Sequence, residues 1–325
     1  MPVRRQEVPR DDARAARLTL EVAAPLNEHW RCATLARALE AVWRQTREDV
    51  PPPIDARAVA EVDSTNTRLL EAARDDEAPR LRLLVAQAQT AGRGRLGRPW
   101  HARPGASLAF SIALPVAVHP KLSLAVGAAV AQALEPVDGP NPHARLALKW
   151  PNDVWLRDAA APFGGRKLAG ILIETTPVAK TRAAPAHEPP SAAADERIVV
   201  AGIGINVRPV EPAQAPSYGV ASLAELDADA DAVEVLHVVA PAVLRALLRP
   251  ANDAAWRVDW AARDILAGRR VQASSTAHDG ATLAGIACGI RDDGALLIEP
   301  DGSGGVVAVS SGEVSVRPLV EPFGR

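Results

Sequence analysis

Residues Leu81–Trp100 read LRLLVAQAQTAGRGRLGRPW. The first six, Leu81–Ala86, form an apolar run of strand length. Beyond Ala86 the character changes, and Gly92, Gly94 and Gly97 alternate with Arg93, Arg95 and Arg98. Glycine lets backbone N–H groups approach a ligand closely and permits positive φ. Arginine adds planar donor forks that match phosphate and carboxylate. Three such pairs directly after a strand predict a flexible anion-binding loop. A basic surface turn is the plainer alternative.

Working outward, strands and helices alternate, as in an α/β protein. Val59–Val62 reads as a strand, followed by Asp63-Ser64-Thr65-Asn66 and a helix carrying Leu69, Leu70 and Ala73, with Ser64 or Asp63 as its N-cap. Downstream, Ser107–Leu114, Ala144–Leu148, Leu168–Glu174 and Ile198–Ile205 are strand candidates. Lys121–Leu134 is a helix apolar on most sides, hence buried. Asp231–Arg249 and Asp253–Leu266 read as helices, with Pro241 a point where the first can bend. Ala159–Gly165 and the Pro/Ala-rich Thr176–Asp195 look like insertions, the second expected to be mobile. From Arg269 to Pro318 short strands are punctuated by Asp279-Gly280, Asp293-Gly294 and Asp301-Gly302. Asp-Gly between apolar runs is a hairpin signal, so this region reads as a small β-barrel of SH3 size. At the other end, Leu35, Leu39, Val42 and Trp43 fall at helical spacing before the break at Pro51-Pro52-Pro53. The expected division is a short N-terminal extension over 1–50, a catalytic domain over 51–267 and the barrel over 268–325.

Composition excludes several classes. The 325 residues hold 37 Lys and Arg against 39 Asp and Glu, so no global charge marks a nucleic-acid or membrane binder. No apolar run is long enough to span a bilayer. The first twenty residues, with Arg4, Arg5, Asp11 and Asp12, lack the apolar centre of a secretory signal. Cys32 and Cys288 are far apart and offer neither a disulfide framework nor a zinc spacing, which suits a reducing, cytoplasmic setting. There is no P-loop, no H-E-x-x-H, no G-x-S-x-G and no histidine cluster, so no metal ligand is assigned.

Three further segments carry chemistry. In KWPNDVW (Lys149–Trp155), Pro151 sets a turn and Asn152 and Asp153 suit its hydrogen bonds. The segment is a candidate site and equally an ordinary turn. In GGRKLAGILIE (Gly164–Glu174), Lys167 opens a strand-like run. It either snorkels at the strand's end or faces a pocket as a fixed positive charge. AGIGINV (Ala201–Val207) lacks the third glycine of a dinucleotide loop, so its glycines allow tight packing or a ligand lying across the sheet.

In this order, Asp63-Ser64-Thr65-Asn66, GRGRLGRPW, KWPND, RKLAGILIE and GIGIN resemble the biotin–protein ligase family. The likeness covers Val59–Val207 and runs more weakly into the C-terminal region, through Gly294-Ala295-Leu296-Leu297 and Ser311-Gly312-Glu313-Val314-Ser315. It implies a mixed sheet flanked by helices, followed by an SH3-like domain. It also implies an ATP-dependent activation of biotin to biotinyl-adenylate, requiring Mg²⁺, and transfer to a lysine on a biotinyl carrier domain of a biotin-dependent carboxylase. By the same resemblance Ser64, Thr65, Asn66, Gln89 and Gly170 bind biotin. Gly92, Arg93, Gly94 and Arg95 close over biotin and the adenylate phosphate, and Lys167 contacts carboxylate and α-phosphate. Arg98, Trp100, Asn152, Asp153 and Asn206 lie around the nucleotide or the incoming lysine, with Asp153 placed to orient that lysine and take its proton. Lys167, Arg95 and Asp153 are the catalytic candidates. Monomer and homodimer are both compatible with the family. Members that repress transcription carry an N-terminal winged helix-turn-helix, whereas the segment here is short and near neutral, so a ligase without DNA binding is expected. A lipoate–protein ligase and a biotin-responsive repressor are the competing readings. The polar set at Ser64–Asn66 favours biotin, since a dithiolane tail needs an apolar tunnel.

Overall fold

A computed structural model describes residues 24–74, 80–136, 144–178, 196–209, 218–275, 282–302, 304–312 and 314–319. The Asp279-Gly280 turn, Glu313 and most of the second insertion (179–195) lie outside them. A seven-stranded sheet organises the chain: β1 (Ile54–Val62), β2 (Leu81–Gln89), β3 (Ser107–Ala117), β4 (Leu146–Lys149), β5 (Asp153–Arg157), β6 (Gly165–Pro177) and β7 (Glu196–Asn206). Its order is β1-β2-β3-β7-β6-β5-β4. β1 and β2 are parallel and every other pair is antiparallel, so the sheet is mixed.

Period-two alternation assigns the two faces. In β3, Leu108, Phe110, Ile112 and Leu114 enter the main core, and in β7 Val199, Ala201, Ile203 and Ile205 do the same. That face is covered by α2 (Cys32–Thr46), α4 (Leu122–Leu134), α5 (Ala232–Leu248) and α6 (Ala255–Arg263). α4 is buried on most sides, and α5 runs on through Pro241. Among the described residues the opposite face carries one helix, α3 (Thr65–Arg74), whose Leu69, Leu70 and Ala73 pack on Ala113, Ile198 and Val200. The rest of that face, around Ser111, Gly202 and Gly204, is left for the site.

Two expectations change. The stretch Pro51–Pro53 does not separate the N-terminal helices from the sheet. Leu35, Leu39, Val42 and Trp43 of α2 are buried in the same core as the sheet, and the short α1 (Ala24–His29) donates no buried residue but supplies Asn27, whose Oδ1 accepts from the N–H of Ala58 at 2.8 Å. The amphipathic stripe is legible in the sequence, but besides the nearby β1 its partner is α5, some two hundred residues away. Second, the chain after KWPN does not merely turn. Asp153–Arg157 is a strand that pairs with both β4 and β6, and Asp158–Gly164 is the turn joining it to β6.

β8 (Arg270–Ser275), β9 (Thr282–Ile290), β10 (Leu296–Pro300), β11 (Val307–Val309) and β12 (Val314–Pro318) form a separate antiparallel sheet of order β11-β10-β9-β8-β12. Gly294 and Gly302 sit at positive φ, 89° and 76°, in the two Asp-Gly turns. This sheet docks firmly on the first: the fully buried Trp150 donates its indole N–H to the carbonyl of Gly294 at 3.0 Å. Among the described residues no helix is long and apolar enough to cross a membrane.

Candidate active site

One cavity of about 450 Å³ lies between the open sheet face and the C-terminal sheet. Every site residue named from the sequence lines it except Gly92, which stands behind it. A Cβ on Gly92 would lie 2.4 Å from the carbonyl oxygen of Trp100, so only glycine fits there.

One end is a neutral polar floor. Ser64 caps α3: its carbonyl accepts from the N–H of Arg68 and its Oγ from that of Thr67. The cap presents Thr65 and Asn66 in the first turn. Gln89, at the end of β2, accepts the N–H of Thr65 through Oε1 at 2.8 Å. The hydroxyl of Ser111, fully buried in β3, lies 2.7 Å from Thr65 Oγ1 and 2.6 Å from Asn66 Oδ1. Asn66 Nδ2 donates to Glu174 Oε2 at 2.8 Å and to the carbonyl of Leu172 at 3.2 Å. Glu174 in turn pairs with Arg93 at 3.0 Å, and Arg93 also reaches Thr67. Ser111 and Glu174 escaped the sequence reading, although a serine in the middle of an apolar strand was the available signal.

The glycines of β7 explain how this floor lies so close to the sheet. A Cβ on Gly202 would meet Asn66 Oδ1 at 2.2 Å, and one on Gly204 would meet the Trp100 ring at 2.2 Å. Tight packing is thus one role of these glycines, and both also line the cavity, where a ligand can lie across the sheet.

The other end is cationic. Lys167 Nζ lies 2.7 Å from Asp153 Oδ1 and 5.5 Å from the centroid of the Trp100 ring. Burial pushes the Asp153 carboxyl upward, but Lys167 and Lys149 outweigh it and hold the group below its ordinary value. Asp153 therefore stays ionised, and a carboxylate so stabilised is a weak base. Lys149, the last residue of β4, also lines the cavity and was not singled out from the sequence. It is buried, with its ammonium 5.6 Å from the centroid of Trp155. Burial pushes it down to about 8, with Asp153 opposing and Lys167, Arg98 and Arg317 adding to the shift. The amides of Asn152 and Asn206 are struts: Asn152 Nδ2 donates to the carbonyl of Ile171 at 2.7 Å, and Asn206 Nδ2 to that of Ala221 at 3.1 Å.

The glycine–arginine loop forms the wall between these ends. It closes on itself through Gly94 N–H to Arg98 O at 2.7 Å and Trp100 N–H to Gly92 O at 2.8 Å. Leu96 at its tip is left-handed (φ 58°) and exposed. Arg95 donates to the carbonyls of Ser311 and, at 2.8 Å, Gly312, and Arg98 to Ser315 Oγ at 3.0 Å. Burial pushes the Arg95 guanidinium below its usual value, against Asp153 and with Arg98. The C-terminal sheet is thus a wall of the site, a contact that sequence reading left unspecified.

The profile of the Biotin/lipoate A/B protein ligase family matches residues 58–184. The biotin--[acetyl-CoA-carboxylase] ligase of Mycobacterium tuberculosis is 33% identical over 302 residues, which cover 82% of this chain and 97% of that protein. The bifunctional ligase/repressor BirA of Escherichia coli is 32% identical over 265 residues, 79% of this chain and 72% of that one. Among solved structures, the biotin protein ligase of Aquifex aeolicus in complex with biotin and ATP superposes with a TM-score of 0.58 at 28% identity, covering 82% of this chain and 99% of that one. With the five ordered motifs gathered around one cavity, and with likeness along nearly the whole mycobacterial protein, the chain belongs to the biotin protein ligases of the biotin/lipoate ligase family.

Proposed function

We propose that this cavity joins biotin to a protein lysine in two steps, the first of which consumes ATP. The observation that carries the reading is the division of one cavity into a neutral hydrogen-bonding floor and a cationic end. A ureido ring is uncharged and needs short donors and acceptors in a slot, which Ser64, Thr65, Asn66 and Gln89 supply. The carboxylate at the far end of biotin then lies toward Lys167. A carboxylate oxygen attacks the α-phosphorus of ATP, the bond to the β-phosphate's bridging oxygen breaks, and pyrophosphate leaves with the electron pair. Two anions meet in this step, and fixed positive charges in a water-poor site offset their repulsion. Lys167 and Arg95 serve there, with Arg93 and Gly94 closing the loop over biotin, Gly170 bordering it, and Trp100, Arg98, Asn152 and Asn206 flanking the nucleotide.

In the second step an unprotonated lysine amine attacks the acyl carbon. The bond to the AMP oxygen breaks, AMP leaves with the electron pair, and the amine's proton passes to the departing phosphate or to solvent. Asp153, ionised beside Lys167, suits orienting an incoming ammonium better than storing its proton. The acceptor we assign is a biotinyl carrier domain of a biotin-dependent carboxylase, in line with the relatives' names. Asp153 is the one carboxylate lining the cavity among the described residues, and no cluster of three metal-ligating side chains occurs among them. The described residues thus offer no cation cage, and we assign Mg²⁺ to the bound nucleotide. The apolar face of α2 packs into the enzyme's core, which favours a ligase without operator binding; we take the enzyme to be cytoplasmic, as a monomer or a homodimer.

Biotin-dependent exchange of labelled pyrophosphate into ATP tests the reading. Exchange supported by lipoate and not by biotin would overturn it.

A further inference from the structure

Glu174 does not line the cavity, yet it is bonded to two residues that do. Its Oε2 accepts from Asn66 Nδ2 at 2.8 Å, and its Oε1 pairs with Arg93 at 3.0 Å. The steps above give it no task.

The polarity of these bonds decides what Asn66 offers a ligand. An amide nitrogen only donates and an amide oxygen only accepts. Both protons of Asn66 Nδ2 are spent, one on Glu174 and one on the carbonyl of Leu172 at 3.2 Å. Its Oδ1 takes the hydroxyl proton of Ser111 at 2.6 Å and keeps a second lone pair. Asn66 therefore faces the cavity as an acceptor. Gln89 is set the opposite way. Its Oε1 accepts from the N–H of Thr65, so it offers the cavity a donor. A ring that carries N–H beside C=O meets both settings.

The setting of Asn66 depends on its acceptors. Ser111 does not hold it, because a hydroxyl accepts as readily as it donates and would follow an amide that turned over. Leu172 O and Glu174 do hold it, and the bond to the carboxylate is the stronger of the two. Arg93, which also donates to Thr67 Oγ1 at 2.8 Å, keeps that carboxylate in place from the loop side. With the amide turned over, its nitrogen would meet the ligand's N–H, donor against donor.

We infer that Glu174 is a positioning residue: it fixes Asn66 as an acceptor for a ring N–H, and so selects cyclic ureas without touching them. The inference rests on the reading of the floor as the ureido site.

The test compares biotin with its two lactam analogues, in each of which one ureido N–H is replaced by CH₂. Each keeps the shape of biotin and loses one donor. In titrations of the full chain, one of the two should bind at least about ten-fold more weakly than biotin, because a buried acceptor is left unpaired. In Glu174→Ala, biotin itself should bind about ten-fold more weakly, and the gap between biotin and that lactam should shrink to within about three-fold. The kcat of adenylation at saturating biotin should stay within about three-fold and the KM for ATP within about two-fold, a loss of binding with the chemistry retained. General damage to the floor would weaken biotin and both lactams alike and leave their ratios unchanged. Glu174→Met, which fills the carboxylate's space without an acceptor, gives the same readout should the alanine variant not fold. Biotin affinity unchanged by either substitution, no discrimination against either lactam in the unsubstituted protein, or ratios that the substitutions leave intact would each overturn the inference. Failure of the unsubstituted protein to bind biotin would instead overturn the reading of the floor.

Discussion

Gly202→Ala is a one-carbon change whose cost can be worked out from the structure. The new Cβ would stand 2.2 Å from Asn66 Oδ1 and 2.8 Å from its Cγ. A side-chain tip can usually swing aside cheaply, but this one is pinned. Asn66 is 3% exposed, donates to Leu172 O and Glu174 Oε2, and accepts from Ser111 Oγ. Displacing it breaks two neutral hydrogen bonds, about 1 kcal/mol each, and one to a carboxylate, about 1.5–3 kcal/mol. The sum is about 3–5 kcal/mol. At about 2–4 °C per kcal/mol for a domain of this size, Tm should drop by roughly 10 °C. Biotin affinity should fall by about 10–100-fold as a floor residue leaves its place. Calorimetric melting and biotin titration measure both. The decisive control is Asn66→Ala. With the clashing side chain gone, adding Gly202→Ala should change stability by no more than about 0.5 kcal/mol. Fully additive costs would show that the glycine is needed for some other reason, and the reasoning would fail.

Lys167→Ala should slow pyrophosphate exchange by about 10²–10³-fold, read in the same assay, and wild-type exchange would remove the lysine from the chemistry. Asp153→Asn should leave adenylation less affected than transfer, in single-turnover assays that start from biotinyl-adenylate. Its stability effect has a definite sign. The folded-state carboxyl lies below the unfolded value of 3.8, so Asp153 stabilises above that pH, and the gap between variant and wild type should close as pH falls through the folded value. Arg95→Gly removes both bonds to the 311–312 turn and adds backbone freedom to the loop. Faster escape of biotinyl-adenylate and labelling of serum albumin are expected, and an unchanged dissociation rate would show that Arg95 does not hold the loop. Arg263→Met should destabilise by about 3–5 kcal/mol in urea melts, because a fully buried guanidinium bridges Glu135, Gln132 and the carbonyl of Leu146.

What the sequence made legible followed local rules. Apolar runs of strand length located β2, β3, β6 and β7, and capping placed α3 behind Ser64. The motifs named a set of residues that converge on one cavity. What escaped was set by partners distant along the chain. The strand Asp153–Arg157 is five residues long and abuts an Ala/Pro/Gly stretch, so its pairing with β4 and β6 leaves little periodic trace. Lys149 reads as a strand-end lysine until Trp155 and Asp153 are seen around it. The acceptors of Arg95 are backbone carbonyls, which carry no residue identity to read. The stripe of α2 predicted a helix with a buried face, and nothing local says that the face meets α5.

That last packing has a consequence in time. Arg31 pairs with Glu234 at 2.5 Å, and His237 Nε2 lies 3.1 Å from the carbonyl of Trp30, contacts spanning 203 and 207 residues. A ribosome adds about 5–20 residues per second, so helix α2 emerges roughly 10–40 s before α5 exists to cover it. β1 shelters some of the stripe early; the part that packs on α5 waits in the open. A nascent chain stalled before residue 232 presents that stripe to whatever chaperone or neighbouring chain is at hand.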